Sequence, residues 1–221
     1  MDVSQILDIL IGFGVRSDLI STDEKSTYLK YVNLAHQELY ALTAVLNPDL
    51  VSALQLNITD GYGTLLNKPY QLITVTDNNQ ANTSSANLKQ RSVSQMVKDY
   101  PQWGFEDPDI VKGTPQYYLL RDKTLYLVPS TDTTVTINYI ANPQDFVLET
   151  PSDEIPYPLV FHKILIDGAL RYLYQDVNES SVKDDLRIRQ AVLNWEMGKG
   201  RLVNYLAGYD KEALINVQDY F

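Results

Sequence analysis

The sequence predicts an α+β protein, a helical bundle built from N- and C-terminal helices with a central antiparallel β section. Two observations carry this. Apolar residues recur at spacings of three and four up to residue 46 and again beyond residue 156, the signature of helices that bury one face. Between about 50 and 140 the period drops to two, with turn residues between the runs. Helices, then strands, then helices place the first and last helices together. Residues 1–50 and 150–208 are assigned to the bundle, 51–149 to a β-rich insertion and 209–221 to a C-terminal docking segment.

Taken in order, Val3, Ile6, Leu7, Ile9, Leu10 and Ile11 form a short helix that Gly12 and Gly14 end. Ser21 and Glu24 have capping-box spacing and open a helix reaching about Leu46. Its stripe is Tyr28, Tyr31, Val32, Ala35, Leu39, Leu42 and Leu46, and Asn47-Pro48 stops it. Leu54, Leu56 and Ile58 alternate as a strand, Asp60-Gly61-Tyr62-Gly63 turns, and residues 72–76 read as the next strand. Residues 77–87 are small and polar, an exposed loop, and 92–100 read as a short helix before Pro101. Residues 116–120 and 124–128 are strands joined by Arg121-Asp122-Lys123, and 133–140 form another with Val135, Ile137 and Tyr139 on one face. From Pro156 the helical period returns, with Leu159, Ile164, Leu165, Ala169, Leu170 and Leu173 pointing one way. A last long helix carries Val182, Leu186, Leu193 and Met197 towards Leu206. Gly198 and Gly200 weaken its middle by roughly 1 kcal/mol each and permit a kink or close packing.

Composition narrows the function classes. The chain has 221 residues, 44% of them hydrophobic, enough to bury a core without covalent staples. With no cysteine, disulfides, thiolate metal sites and thiol nucleophiles are excluded. No signal-peptide pattern and no apolar run of membrane length is present, so the expectation is a soluble protein made in the cytoplasm. Acidic residues outnumber basic ones 28 to 18, and no Lys/Arg cluster exists to neutralise a nucleic-acid backbone. Sixteen tyrosines against five phenylalanines suit interfaces, where one ring face packs and the hydroxyl stays wet; lining half-exposed strands explains them equally well.

No catalytic constellation emerges. His36 and His162 each stand alone on a helix, so a metal site is not expected. Gly12-Phe13-Gly14 and Gly61-Tyr62-Gly63 do not complete a phosphate-binding loop, and the P-loop lysine is missing. Glu106, Asp107 and Asp109, or Asp153 and Glu154, could supply an acid/base pair only if the fold gathered two carboxylates in one pocket. Asp153-Glu154 has a simpler place beside a helix start. Asp184 and Asp185 with Arg187 and Arg189 read as a solvated, ion-paired helix face. No serine-hydrolase motif surrounds Ser17, Ser21 or Ser26. Neither a catalytic residue nor a cofactor is assigned.

Several segments nonetheless follow one another in a telling order: residues 113–120 (Gly113-Thr114-Pro115-Gln116-Tyr117-Tyr118-Leu119-Leu120), Leu125-Tyr126-Leu127-Val128-Pro129, Val135-Thr136-Ile137-Asn138-Tyr139, Asp153-Glu154-Ile155-Pro156-Tyr157-Pro158-Leu159, and residues 166–174 with Gly168 and Arg171. In this order and spacing, with the helix at 28–40, the chain resembles head-to-tail adaptor proteins of tailed bacteriophages, and within them the tail tubular protein A type of short-tailed phages. The resemblance covers most of residues 20–206; the polar stretch 77–112 departs from compact members. It implies a homo-oligomeric ring, twelve-fold in that family. That ring sits beneath the portal protein at the head–tail junction and receives the next tail or nozzle protein. The subunit is cytoplasmic during assembly. DNA passes through the ring without specific binding, which an acidic surface favours.

The reading is therefore a virion structural protein without enzymatic activity. A stopper or other tail-completion protein is the alternative within that class. A carbohydrate-binding or hydrolytic domain is the alternative outside it, and an exposed groove lined by Trp103, Tyr117 and Tyr126 beside Glu106 would favour it. A flat, tyrosine-rich lateral surface favours the ring. The candidate contacts with the portal or a neighbouring subunit are Tyr209, Leu214, Ile215, Val217, Tyr220 and Phe221, a high apolar share for a chain end.

Overall fold

The computed structural model describes residues 1–12, 22–80, 87–148, 155–176 and 182–218; the side chains of 22–24, 176, 182–185 and 209–218 lie outside the description. The described residues form helices α1 (Val3–Gly12), α2 (Thr22–Thr43), α3 (Val93–Asp99), α4 (Lys163–Asp176) and α5 (Val182–Gln218). The strands are β1 (Val51–Ile58), β2 (Tyr62–Thr64), β3 (Gln71–Asp77), β4 (Lys89–Gln90), β5 (Tyr117–Arg121), β6 (Thr124–Val128) and β7 (Thr133–Ile140). The class is α+β. The chain divides into two packed units, Met1–Asp49 with Pro143–Phe221, and Leu50–Asn142.

In the helical unit, α2 lays Tyr28, Val32, Ala35 and Leu39 into a core completed by Leu165, Ala169 and Leu173 of α4 and Trp195 and Leu202 of α5. Val3, Ile6 and Leu10 of α1 join them. Gly168 sets the closest approach, because a Cβ there would lie 2.5 Å from the Trp195 ring and 2.8 Å from the Ala35 methyl. Side chains of α2 also hold the returning chain. Asn33 donates to the Phe146 carbonyl (3.0 Å) and accepts from its N–H (2.9 Å). Gln37 donates to Asp145 (2.7 Å), and Asn47 donates to the Pro156 carbonyl (3.2 Å).

Three apolar stripes differ from expectation. Helix α2 stops at Thr43, and Leu42 in its last turn faces solvent. Leu159 does not belong to α4: it sits in a short 3-10 turn, Leu159–Phe161, ahead of the helix, and is exposed. The largest change is on α5. Leu186, Leu193 and Met197 are 64%, 53% and 48% exposed, while Ala191, Trp195, Leu202 and Leu206 face the core. Leu193 and Trp195 are two residues apart, hence about 200° apart around the helix. Trp195 sides with the core because its broad ring fills the space opened by Gly168. The helix runs on through both glycines. Gly198 packs against Ile164, at 2.9 Å from a built Cβ, and nothing lies within 4 Å at Gly200.

The β unit is a two-layer sandwich. One sheet has the order β1-β7-β3, all antiparallel; the other has β2-β6-β5-β4, with β4 parallel to β5. Ile58, Val75, Val135 and Ile137 of the first meet Tyr118, Leu125 and Leu127 of the second. Strict alternation sends Leu119 and Val128 to the other face, where they pack with Met96 of α3 and Trp103. Asp60 (φ 54°) and Gly61 (φ 80°) form the tight turn between β1 and β2, as an Asp-Gly pair favours. The capping-box pair Ser21/Glu24 falls outside the described residues. A complete box is found instead at Ser92 and Gln95, which start α3.

Candidate functional site

The catalytic and sugar-binding candidates are dispersed or buried. Trp103 is a core residue, edge-on to Phe105 (5.1 Å between ring centroids) and to Tyr126 (6.1 Å). Tyr117 carries the Arg91 guanidinium 4.7 Å above its ring. With Trp103 buried, the three aromatics do not line an exposed groove together, and the feature that would favour the carbohydrate-binding reading is not formed by them. Asp153 and Glu154 lie outside them, as do the side chains of Asp184 and Asp185.

A cavity of about 570 Å3 in the β unit gathers Asp60, Asp77, Asp109 and Asp132. Asp77, Asp109 and Asp132 are engaged in local structure through their carboxylates, and Asp60 through its backbone N–H. Asp77 accepts from the Asn79 N–H (3.1 Å), Gln80 (2.8 Å) and Thr133 (2.6 Å). Asp109 accepts from Ser130 (2.5 Å) and pairs with Lys112 (2.8 Å); these two donors hold its carboxyl below the usual range. Asp132 accepts from the Asp60 N–H (3.1 Å). Among the described residues, no group of three His, Asp or Glu could hold a metal ion.

His36 and His162 are both buried. His36 lies 3.1 Å from the Tyr157 hydroxyl and packs on Phe146; burial pushes its pKa down to about 4 against the pull of Asp145 and of a backbone bond to Gln144. His162 has the Met1 carbonyl at 2.8 Å from Nδ1 and the Tyr157 carbonyl at 2.7 Å from Nε2, so it ties chain segments together.

The densest polar cluster was not legible in the sequence. Glu38 of α2 accepts from Arg171 (Nη2, 2.5 Å), Tyr172 (2.9 Å), Trp195 Nε1 (3.2 Å) and Lys199 (3.1 Å). The two cations also lie over aromatic rings, Arg171 at 4.2 Å from Tyr172 and Lys199 at 5.3 Å from Trp195. Partial burial pushes the Glu38 carboxyl up, but the hydrogen bonds from Arg171, Lys199 and Tyr172 outweigh it and hold the pKa at about 2. The cluster bolts α2, α4 and α5 together. A glutamate within a helix whose stripe is apolar was the available signal; its partners, far along the chain, were not readable.

What remains is surface. Among the described tyrosines, Tyr28, Tyr31, Tyr40, Tyr118 and Tyr157 are buried, while Tyr62, Tyr70 and Tyr205 are exposed. The exposed apolar residues of the helical unit include Leu186, Leu193 and Met197 on α5, Leu42 and Val45 at the end of α2, and Val147 and Leu148 on the returning segment. Of the predicted interface residues, Tyr209, Leu214, Ile215 and Val217 lie on the last turns of α5 with their side chains outside the description. Tyr220 and Phe221 lie outside the described residues. No helix of the described residues is long and apolar enough to cross a membrane.

Residues 3–212 match the family model described as SU10 adaptor protein. No curated protein matched the chain. The helical unit carries uncovered apolar side chains, and the family match spans nearly the whole sequence. On these grounds the chain belongs to the SU10 adaptor protein family, a phage adaptor and a structural component of the virion.

Proposed function

We propose that this adaptor closes into a ring, twelve-fold as its resemblance implies, that joins the portal to the tail and lets DNA pass through its centre. One observation carries the reading: α5 is apolar on two opposite faces, and its own unit covers one of them. A helix apolar on both sides is built to be buried on both sides. An exposed row of large apolar side chains on a protein that must stay soluble marks an interaction surface. The C-terminal segment 209–221 docks on the portal or on a neighbouring subunit, with Leu214, Ile215 and Phe221 as its anchors. A net charge of −10 suits a channel that DNA must traverse without sticking.

Cryo-electron microscopy of the particle tests this. The expected result is a closed ring of this chain directly beneath the portal. Finding the chain as a plug below such a ring would favour a stopper, and finding it as a peripheral spike or fibre would sink the adaptor-ring reading.

A further inference from the structure

We propose that the outer edge of β1, from Val51 to Leu56, is a docking edge that takes an uncharged, extended segment of another virion protein as an added strand. This rests on the ring reading, which excludes the one contact that a second copy could make there.

Of the four sheet edges in the β unit, three are blunted. β2 has three residues and β4 two. β3 carries a register shift between Leu72 and Thr74, and the Leu88 N–H bonds to its Val75 carbonyl (2.8 Å). Short strands, bulges and covering segments are the means by which proteins protect a sheet edge. β1 has none of them. Its eight residues pair with β7 in unbroken register, and Val51–Ile58 contains no proline and no charge.

The hydrogen-bond phase identifies the open groups. Ile140 turns its carbonyl to Tyr70 on the β3 side (2.9 Å), so its β1 partner Val51 turns N–H and C=O away from β7. Alternation puts Ala53 and Gln55 in the same state. The same phase turns Val75, opposite Ile137, outward on the β3 edge, where Leu88 takes its carbonyl. No described residue bonds the outward groups of Val51, Ala53 and Gln55. The open stretch ends at Asn57, because Gly63 of β2 sits against its carbonyl: a built Cβ would lie 2.7 Å away. A row of donors and acceptors at strand spacing is matched by another extended backbone.

Side chains decide the occupant. On the inner face Leu56, beside Val135, packs on the β-unit core, while Leu54, beside Ile137, is 36% exposed. An added strand lays apolar side chains next to them. The other face is polar: Gln55 stands opposite Thr136, and Asn57 accepts from the Thr134 hydroxyl (2.9 Å). The fitting segment therefore alternates apolar with small polar residues. It is uncharged, since nothing on β1 compensates a charge desolvated there. Among its described strands, a second copy offers one open edge of this length, its own β1. Pairing β1 with β1 is a two-fold contact and does not propagate around a ring. The occupant is thus a different chain.

Hydrogen exchange of the full chain, alone and in assembled particles, reads the edge directly. In the purified subunit the amides of Val51, Ala53 and Gln55 should exchange fast while those of Leu54 and Leu56 stay protected. In particles the first three should slow by more than about tenfold. Ala53→Pro removes one outward N–H and leaves the ladder to β7 whole. It should keep the subunit's melting curve and lose the protection of Val51 and Gln55 in particles. A photoreactive benzophenone side chain at position 53 should cross-link to a different virion protein. Fast exchange at these amides in particles whose images show a ring would overturn the proposal and leave the ring reading intact. A cross-link to a second copy of this chain would overturn it as well. Particles without a ring would remove both.

Discussion

Glu38 gathers five hydrogen bonds onto two oxygens, and none of its partners lies on its own helix. Glu38→Gln therefore leaves Arg171 without its counter-charge and Lys199 with Glu196 alone, and should lower stability by roughly 1–3 kcal/mol at pH 7. Urea midpoints would measure it. The folded pKa of about 2 lies below the ordinary 4.5, so this contribution is complete above about 4.5 and is lost as pH falls from there towards 2. The gap between the variant and the natural protein should narrow over that window. His36 acts higher on the scale. Its folded pKa of about 4 lies below the unfolded 6.5, so between those values the unfolded chain binds the extra proton. Stability should fall by on the order of 3 kcal/mol as pH drops from 6.5 to 4. His36→Phe, which keeps an aromatic ring and leaves the Tyr157 hydroxyl the residue 36 carbonyl as acceptor, should flatten that part of the profile. A profile that keeps its slope would sink the assignment.

Among the elements, the packing of α4 against α5 depends on one missing side chain. A Cβ at Gly168 would press on the Trp195 ring and the Ala35 methyl at distances real structures do not tolerate. Gly168→Val should cost about 1–3 kcal/mol by overpacking, and Trp195→Ala about 3–5 kcal/mol by opening a cavity. Both would appear as lower melting temperatures with no change in oligomer contacts at α5. The C-terminal turns of α5 behave differently if they serve docking. Deletion of residues 209–221 should leave a folded, soluble subunit with an unchanged melting curve that no longer joins heads to tails. Unfolding of the truncated chain, or normal yields of infectious particles, would contradict the docking role.

For the molecule as a whole the governing quantity is charge. With 28 acidic and 18 basic side chains and no dense basic patch, the chain cannot release many counterions from a DNA backbone. Mobility shifts at low salt should therefore show no complex with duplex DNA at micromolar protein. A complex whose affinity falls steeply with added salt would contradict the proposed passage of DNA without sticking.

The α+β class was legible from period alone, because helix and strand periods of 3.6 and 2 are properties of the backbone and need no neighbour to show themselves. β7 illustrates this: its alternation set both its limits and its buried face, Val135 and Ile137. Local sequence also placed α3 and the hairpin at residues 121–124, since turn chemistry is local. What sequence could not decide was which apolar face belongs to the subunit. On α5 the row Leu186, Leu193 and Met197 is as regular as any core stripe, yet Trp195 on the opposite side takes the core. It does so because Gly168, 27 residues earlier on another helix, leaves room for its ring. The Glu38 cluster was hidden for the same reason, its donors standing 133 to 161 residues away. Periodicity reveals that a helix has an apolar side; only tertiary packing decides whether that side is filled from within the chain or left for another.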